Sequence, residues 1–188
     1  LAQAAFSDVS GAEFAQYIND LSARGVLGGS GGNFYPTLNL TRGELAKVLV
    51  SAASLPVVTT STRSFSDVAA SNSFYGPIMT LAARGTVNGY SDGTFRPNAN
   101  VTRGEFSKMV VGAFGFQTNT QGGPHFSMDV PISNTFYSFV ETLYALNVIN
   151  GYSASTFGVN DNVTREQMAK IVSRGIMAKA GTLESRPG

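Results

Sequence analysis

Val101-Thr102-Arg103-Gly104-Glu105-Phe106 decides the fold, because the chain writes it three times. The other copies are Leu40-Thr41-Arg42-Gly43-Glu44-Leu45 and Val163-Thr164-Arg165-Glu166-Gln167-Met168, with the threonines 61 and 62 residues apart. Each copy reads Thr-x-x-Glu/Gln ahead of an apolar helical run, which is a capping box. The hydroxyl accepts from the amide of the third helical residue, and the Glu or Gln side chain reaches back to the Thr amide. Arg then falls at the first helical position, beside unpaired amides and the positive end of the helix dipole. Nothing in helix physics asks for a cation there. Three arginines at that place point to a task, either pairing with a neighbouring carboxylate or holding an anionic ligand.

Upstream of each box lie a glycine-containing loop and a shorter amphipathic helix. In repeat one, Phe6-Ser7-Asp8-Val9 precedes a helix with Phe14, Tyr17, Ile18 and Leu21 on one face. Gly25 caps it in the left-handed conformation. Repeat two runs from Phe65-Ser66-Asp67-Val68 through Phe74, Ile78 and Leu81 to Gly85, and repeat three from Phe126-Ser127-Met128-Asp129-Val130 through Phe136, Val140, Leu143 and Tyr144 to Asn147. The second helices bury Leu45, Val48, Leu49 and Ala52; Phe106, Met109, Val110 and Ala113; and Met168, Ile171, Val172 and Ile176. Units of this size cannot bury a face alone, so they must pack together. The spacing therefore predicts an all-α fold: three helix–loop–helix repeats (6–56, 65–116 and 126–178) packed with pseudo-threefold symmetry as one domain over 1–180, with 181–188 as a C-terminal linker.

Composition narrows the function. Charged residues are 13% of the 188, about half the usual share, and the formal net charge is +1. There is no basic block, which argues against nucleic-acid binding, and no apolar run near the roughly 20 residues of a membrane helix, which argues against membrane insertion. Cysteine is absent, excluding a disulfide scaffold or a thiolate site. Leu1-Ala2-Gln3-Ala4-Ala5 reads as the small-residue end of a signal-peptide cleavage region, and the Ser-, Thr- and Asn-rich composition fits secretion.

The fixed order of Phe-Ser-Asp-Val, amphipathic helix, Gly-Tyr-Ser-Asp-Gly-Thr-Phe-x-Pro and Val-Thr-Arg-Gly-Glu resembles the S-layer homology (SLH) module, from Phe6 to about Met177. The resemblance implies a three-prong spindle, with first helices bundled centrally and second helices forming the prongs. It also implies a cell-surface location and attachment to cell-wall polysaccharide, either a secondary polymer, in many relatives carrying a pyruvate ketal, or a peptidoglycan-linked glycan. The ligand would sit in grooves between prongs, lined by the Thr-Arg-x-Glu start and the glycine-rich loop. The match is uneven. Gly43 and Gly104 stand where the family usually has Ala, and Gln167 replaces the capping Glu. Repeat one's loop is a residue short and lacks the Tyr, and repeat three has Ala154-Ser155 for Asp-Gly.

The ligand-binding candidates are Thr41, Arg42 and Gly29 in repeat one; Thr102, Arg103, Gly89, Tyr90 and Asp92 in repeat two; and Thr164, Arg165, Gly151 and Tyr152 in repeat three. Repeat two alone keeps both a complete loop and a complete box, so Arg103 is expected to matter most, then Arg165, then Arg42. If each Arg is kept for ligand, removing it should cost less stability than removing a Thr cap. Against these readings, the arginines could pair with Asp8, Asp67 or Asp129, the glycines could serve positive φ, and the tyrosines could cover the loop base. The aspartates themselves read as turn or cap carboxylates, and His125 as an exposed loop residue. No nucleophile elbow, phosphate loop or metal ladder is present, so no enzyme activity, cofactor or metal is expected. The alternative to glycan anchoring is a protein–protein module for surface-layer self-assembly or adhesion.

Overall fold

The structure is a computed structural model that describes residues 6–9, 13–28, 32–60 and 62–187. The cleavage-like start at Leu1–Ala5 and the candidate Gly29 lie outside the described residues. Six helices follow in chain order: α1 (Ala15–Ala23), α2 (Arg42–Ala52), α3 (Tyr75–Ala83), α4 (Arg103–Phe114), α5 (Tyr137–Ala145) and α6 (Arg165–Lys179). Among the described residues the only strand-like pairing is three isolated antiparallel bridges. The first helices stop where the sequence places left-handed caps, at Gly25, Gly85 and Asn147, with φ of 70°, 72° and 60°.

The second helices begin at the three arginines. Thr41, Thr102 and Thr164 accept from the amides of Glu44, Glu105 and Gln167 at 3.2–3.3 Å. The box closes fully at Thr102 and Thr164. At Thr41 the glutamate accepts from the Thr hydroxyl instead (3.0 Å) and pairs with Arg165.

The first two amides of each second helix go to the next repeat. Arg42 and Gly43 donate to the carbonyls of Ala99 and Pro97, Arg103 and Gly104 to Asp161 and Val159, and Arg165 and Glu166 to Leu38 and Pro36, all at 2.8–2.9 Å. Just upstream, Leu40 donates to Val163, Val163 to Val101 and Val101 to Leu40, at 2.8, 3.1 and 3.0 Å. These three residues are fully buried. The ring closes the threefold.

Each Phe-Ser-Asp-Val segment anchors its own loop, as turn carboxylates would. Asp8 accepts from the amides of Phe34 and Tyr35, Asp67 from Phe95 and Arg96, and Asp129 from Phe157, Gly158 and Val159, at 2.6–2.9 Å. Desolvation pushes the Asp8 carboxyl up, but the two amides, together with the Arg165 guanidinium, hold it below its ordinary value. The paired phenylalanines (Phe6–Phe34, Phe65–Phe95, Phe126–Phe157) pack as tilted rings 5.2–5.5 Å apart.

The placement of the helices corrects one expectation. The second helices α2, α4 and α6 pack on one another at the centre, while α3 lies on α2, α5 on α4 and α1 on α6. The reason is burial: α4 buries nine of its twelve residues, whereas α1 buries two of nine, and a helix apolar on most sides must be interior. Each first helix thus rests on the preceding repeat, cyclically. Close approach there explains the departures at Gly43 and Gly104. A Cβ on Gly43 would lie 2.5 Å from the Phe74 ring, and one on Gly104 would fall against the Phe136 ring and 2.8 Å from Val159. His125 is a second correction: it is half-buried, and both its amide and its Nδ1 meet Glu141 (2.9 and 2.5 Å), a carboxylate only 1% exposed. A buried carboxylate needs such partners.

Gly104→Ala is expected to destabilise by roughly 1–3 kcal/mol through overpacking, despite the better helix propensity of Ala, and urea unfolding measures it. Thr86→Val should do the opposite. The Thr86 hydroxyl is buried with no partner, and repeats one and three carry Val26 and Val148 at that position. A gain of about 1 kcal/mol, read as a higher melting temperature, is expected.

Candidate functional site

Three grooves lie at the repeat boundaries, and each is lined by residues of all three repeats. The first sets Arg42 of repeat one with Lys108 of repeat two and Phe136 of repeat three. The second sets Arg103 with Lys170 and Phe14, and the third Arg165 with Lys47 and Phe74. Their volumes are about 180, 150 and 340 Å³, at or below the lower end of small-molecule clefts. That is room for a sugar-sized group, not for a long run of polymer.

The arginine floors each groove by crossing to the next repeat's loop. Arg42 Nε donates to the Phe95 carbonyl, Arg103 Nε to Phe157 and Arg165 Nε to Phe34, at 2.9, 2.9 and 2.7 Å. Each guanidinium also lies over that phenylalanine ring, at 4.6, 4.3 and 4.8 Å from its centroid. Arg42 and Arg103 are only 6% exposed. Arg42 Nη1 is 3.3 Å from Glu105 Oε1, Arg165 Nη1 pairs with Glu44, and Arg103 Nη2 donates to the Asn150 carbonyl (3.0 Å). Burial pulls the Arg103 pKa down, opposed by Tyr152, Asp161 and Asp129.

This geometry redraws the expected partnerships. Gly89 and Tyr90 line the groove of Arg42, not that of Arg103, and Asn150 and Tyr152 stand with Arg103. Each groove joins one repeat's loop and box glutamate or glutamine to the arginine of the repeat before it, so the arginine and the loop of one repeat serve different grooves. The aspartates of the Phe-Ser-Asp-Val segments do not pair with the arginines, because amides fill them. The three threonine oxygens accept from the third amide of each second helix and the first two amides go to carbonyls of the next repeat, so the first-turn amides do not face an anion. Asp92 stands at the loop tip, bound by the Thr94 hydroxyl and amide (2.6 and 3.0 Å) and by Arg96 (3.0 Å). Those bonds hold its pKa at about 2 against opposing desolvation, so its stabilising contribution is present above the ordinary carboxylate range and is lost as pH falls towards 2.

The glycines and tyrosines differ between grooves. Gly89 has φ +73° and a Cβ there would lie 2.5 Å from Phe65, while one on Gly151 would run into Phe126. Both let the loop pass over its own Phe-Ser-Asp-Val ring. Tyr90 is enclosed, with its hydroxyl donating to Glu105 (2.7 Å) and its ring beneath Arg42 and Arg96 at 4.9 and 3.9 Å. Burial raises its pKa, with the Glu105 bond adding to the shift. Tyr152 is 56% exposed, with one guanidinium, that of Arg103, over it at 4.7 Å. Asn88 and Asn150 were not singled out by sequence reasoning, although their place before Gly-Tyr in two repeats was a usable signal. Among the described residues no group of three or more His, Asp or Glu could hold a metal ion, and no helix is long and apolar enough to cross a membrane.

The S-layer homology domain family matches residues 5–46, 64–107 and 129–169. Similar proteins include cell surface glycoprotein 1 of Acetivibrio thermocellus, 29% identical over 83% of this chain, and the surface-layer 125 kDa protein of Lysinibacillus sphaericus, 29% identical over 91%. The cellulosome-anchoring protein of Acetivibrio thermocellus is 26% identical over 78%. The matches span 7%, 14% and 34% of those proteins' lengths.

The arginines' structural employment sets a stability order opposite to the one expected from sequence. Arg103→Ala removes two charge-assisted hydrogen bonds to loop carbonyls and should cost roughly 2–4 kcal/mol, against about 1 kcal/mol for Thr102→Ala. Chemical denaturation of both variants measures the order, and an Arg103→Ala loss no greater than that of Thr102→Ala would refute it.

Proposed function

The chain belongs to the S-layer homology family, and from that premise we propose that it is a non-catalytic anchoring domain of an exported surface protein, holding an acidic cell-wall polysaccharide in its inter-repeat grooves. Cell-wall anchoring is the coarse reading, supported by the family and by relatives named as surface-layer and cellulosome-anchoring proteins. The acidic glycan is the finer one. The observation that carries it is the repeated pairing of a guanidinium and a lysine with an aromatic edge in a groove of sugar size. A ketal or uronate carboxylate suits the cations, and the apolar face of a sugar ring suits Phe14, Phe74 or Phe136.

Catalysis has little to work with in these grooves. Glu44 and Glu105 are each committed to a cap and an arginine. Glu166 has its carboxyl raised, first by desolvation and then by Glu13, but it lines none of the three grooves.

Retention on isolated cell-wall sacculi tests the reading. The protein is expected to co-sediment with native sacculi, to be lost when the secondary polymer is removed, and to elute with rising salt. Retention that survives removal of the polymer would refute the acidic-glycan ligand. Association with copies of itself and not with sacculi would favour the protein–protein alternative.

A further inference from the structure

Asn-Gly occurs at equivalent places in two repeats, Asn88-Gly89 and Asn150-Gly151, each followed by tyrosine. Packing requires the glycines, because a Cβ on Gly89 would lie 2.5 Å from the Phe65 ring and one on Gly151 would fall against Phe126. With no Cβ to crowd it, a glycine nitrogen is open to the side-chain carbonyl of the asparagine before it. Neither glycine amide has an acceptor among the described residues, and both asparagines are exposed.

The two sites differ in what holds the asparagine. The Asn88 side chain makes no hydrogen bond among the described residues. Asn150 Oδ1 accepts from Nη2 of Arg186, which the C-terminal segment brings back over repeat three. The Arg186 amide donates to the Ala145 carbonyl (2.9 Å), and its guanidinium lies 3.8 Å from the centroid of the Tyr144 ring. Its Nη1 donates to the carbonyls of Tyr144 and Ile149, the latter at 3.1 Å. One guanidinium therefore takes the Ile149 carbonyl and Asn150 Oδ1 together. That turns the Asn150 side chain towards the peptide before it, whereas attack by the Gly151 nitrogen needs it turned towards the peptide after it.

We propose that Asn88 is a site of spontaneous deamidation, and that Arg186 guards the equivalent Asn150 against it. The Gly89 nitrogen gives up its proton and bonds to the Asn88 side-chain carbonyl carbon. The bond from that carbon to Nδ2 breaks, and the nitrogen takes up a proton and leaves as ammonia. Solvent water then opens the five-membered imide at one carbonyl or the other, giving aspartate or isoaspartate. Either product adds a carboxylate to the groove of Arg42, Glu105 and Lys108, and isoaspartate also lengthens the loop backbone by one carbon. The groove of Arg42 therefore ages chemically while that of Arg103 keeps its composition. This goes beyond the anchoring reading and does not depend on what the grooves hold.

The test incubates the folded full chain in mildly alkaline buffer and follows the peptides spanning each site by mass spectrometry, which reads the exchange of an amide for a carboxylate. Labelling by an isoaspartate-specific methyltransferase marks the rearranged product. A charge-assisted hydrogen bond that must break before attack slows it by roughly ten- to a hundredfold, and Asn88 should outpace Asn150 by that factor. Asn88→Gln should abolish the fast conversion. Arg186→Ala should speed conversion at Asn150 by about the same factor and leave the Asn88 rate unchanged, which separates loss of the guard from general loosening of the fold. Equal rates at the two sites of the unmodified protein, or no conversion at Asn88, would overturn the proposal. So would an Arg186→Ala chain in which Asn150 is no faster, or in which both sites speed up alike.

Discussion

Everything in this fold depends on the start of a helix being completed by another repeat. A helix leaves its first amides unpaired, and here the third is capped locally by threonine while the first and second are given to carbonyls one repeat onward. Three such gifts close on themselves, repeat one to two, two to three and three to one, around the fully buried ring of Leu40, Val101 and Val163. A buried amide without an acceptor costs about 1–3 kcal/mol, so a repeat cut from its neighbours would expose or orphan two amides along with its apolar face. The threefold is a condition of hydrogen-bond satisfaction as well as of hydrophobic burial.

The arginine belongs to the same logic. It sits at the first helical position because that position points across the boundary, where its Nε finds the carbonyl of the next repeat's loop phenylalanine. The amide of that same phenylalanine is held by the Phe-Ser-Asp-Val aspartate. One residue is therefore gripped from both sides, by a cation of the preceding repeat and an anion of its own. The dipole's mild opposition to a cation is outweighed by a charge-assisted bond and a ring beneath the guanidinium. The Asp and the Arg serve one connection without touching each other.

What could be read from sequence follows from the range of each interaction. Caps, glycine stops and the apolar faces act within a turn or two, and the helix starts at Arg42, Arg103 and Arg165 and the stops at Gly25, Gly85 and Asn147 lie where spacing put them. The aspartates bridge 26 to 30 residues inside one repeat, and their role as turn carboxylates was legible, though not their particular amides. Which repeats share each groove was not legible. Gly89 and Tyr90 sit 14 and 13 positions before Arg103 in the chain, yet they line the pocket of Arg42. Sequence shows the order of repeats but not which neighbour a side chain crosses to. Nor did an amphipathic pattern say that the second helices would be central, since that needed the comparison of burial across all six.

Repetition also separates two properties that a single copy would confound. Position three of each second helix serves the cap and, through its second oxygen, the electrostatics of the groove before it. Gln167 satisfies the first as well as Glu105 does, with its Oε1 at 3.1 Å from the Thr164 amide and Glu105 Oε2 at 3.1 Å from that of Thr102. It cannot satisfy the second, because an amide nitrogen replaces the oxygen that would face the arginine. Helix stability is therefore nearly blind to the exchange while groove charge changes by a full unit. A pseudo-symmetric fold can hold its backbone ring unchanged and still give three geometrically equivalent clefts unequal chemistry, through a substitution whose cost to the fold is close to nothing.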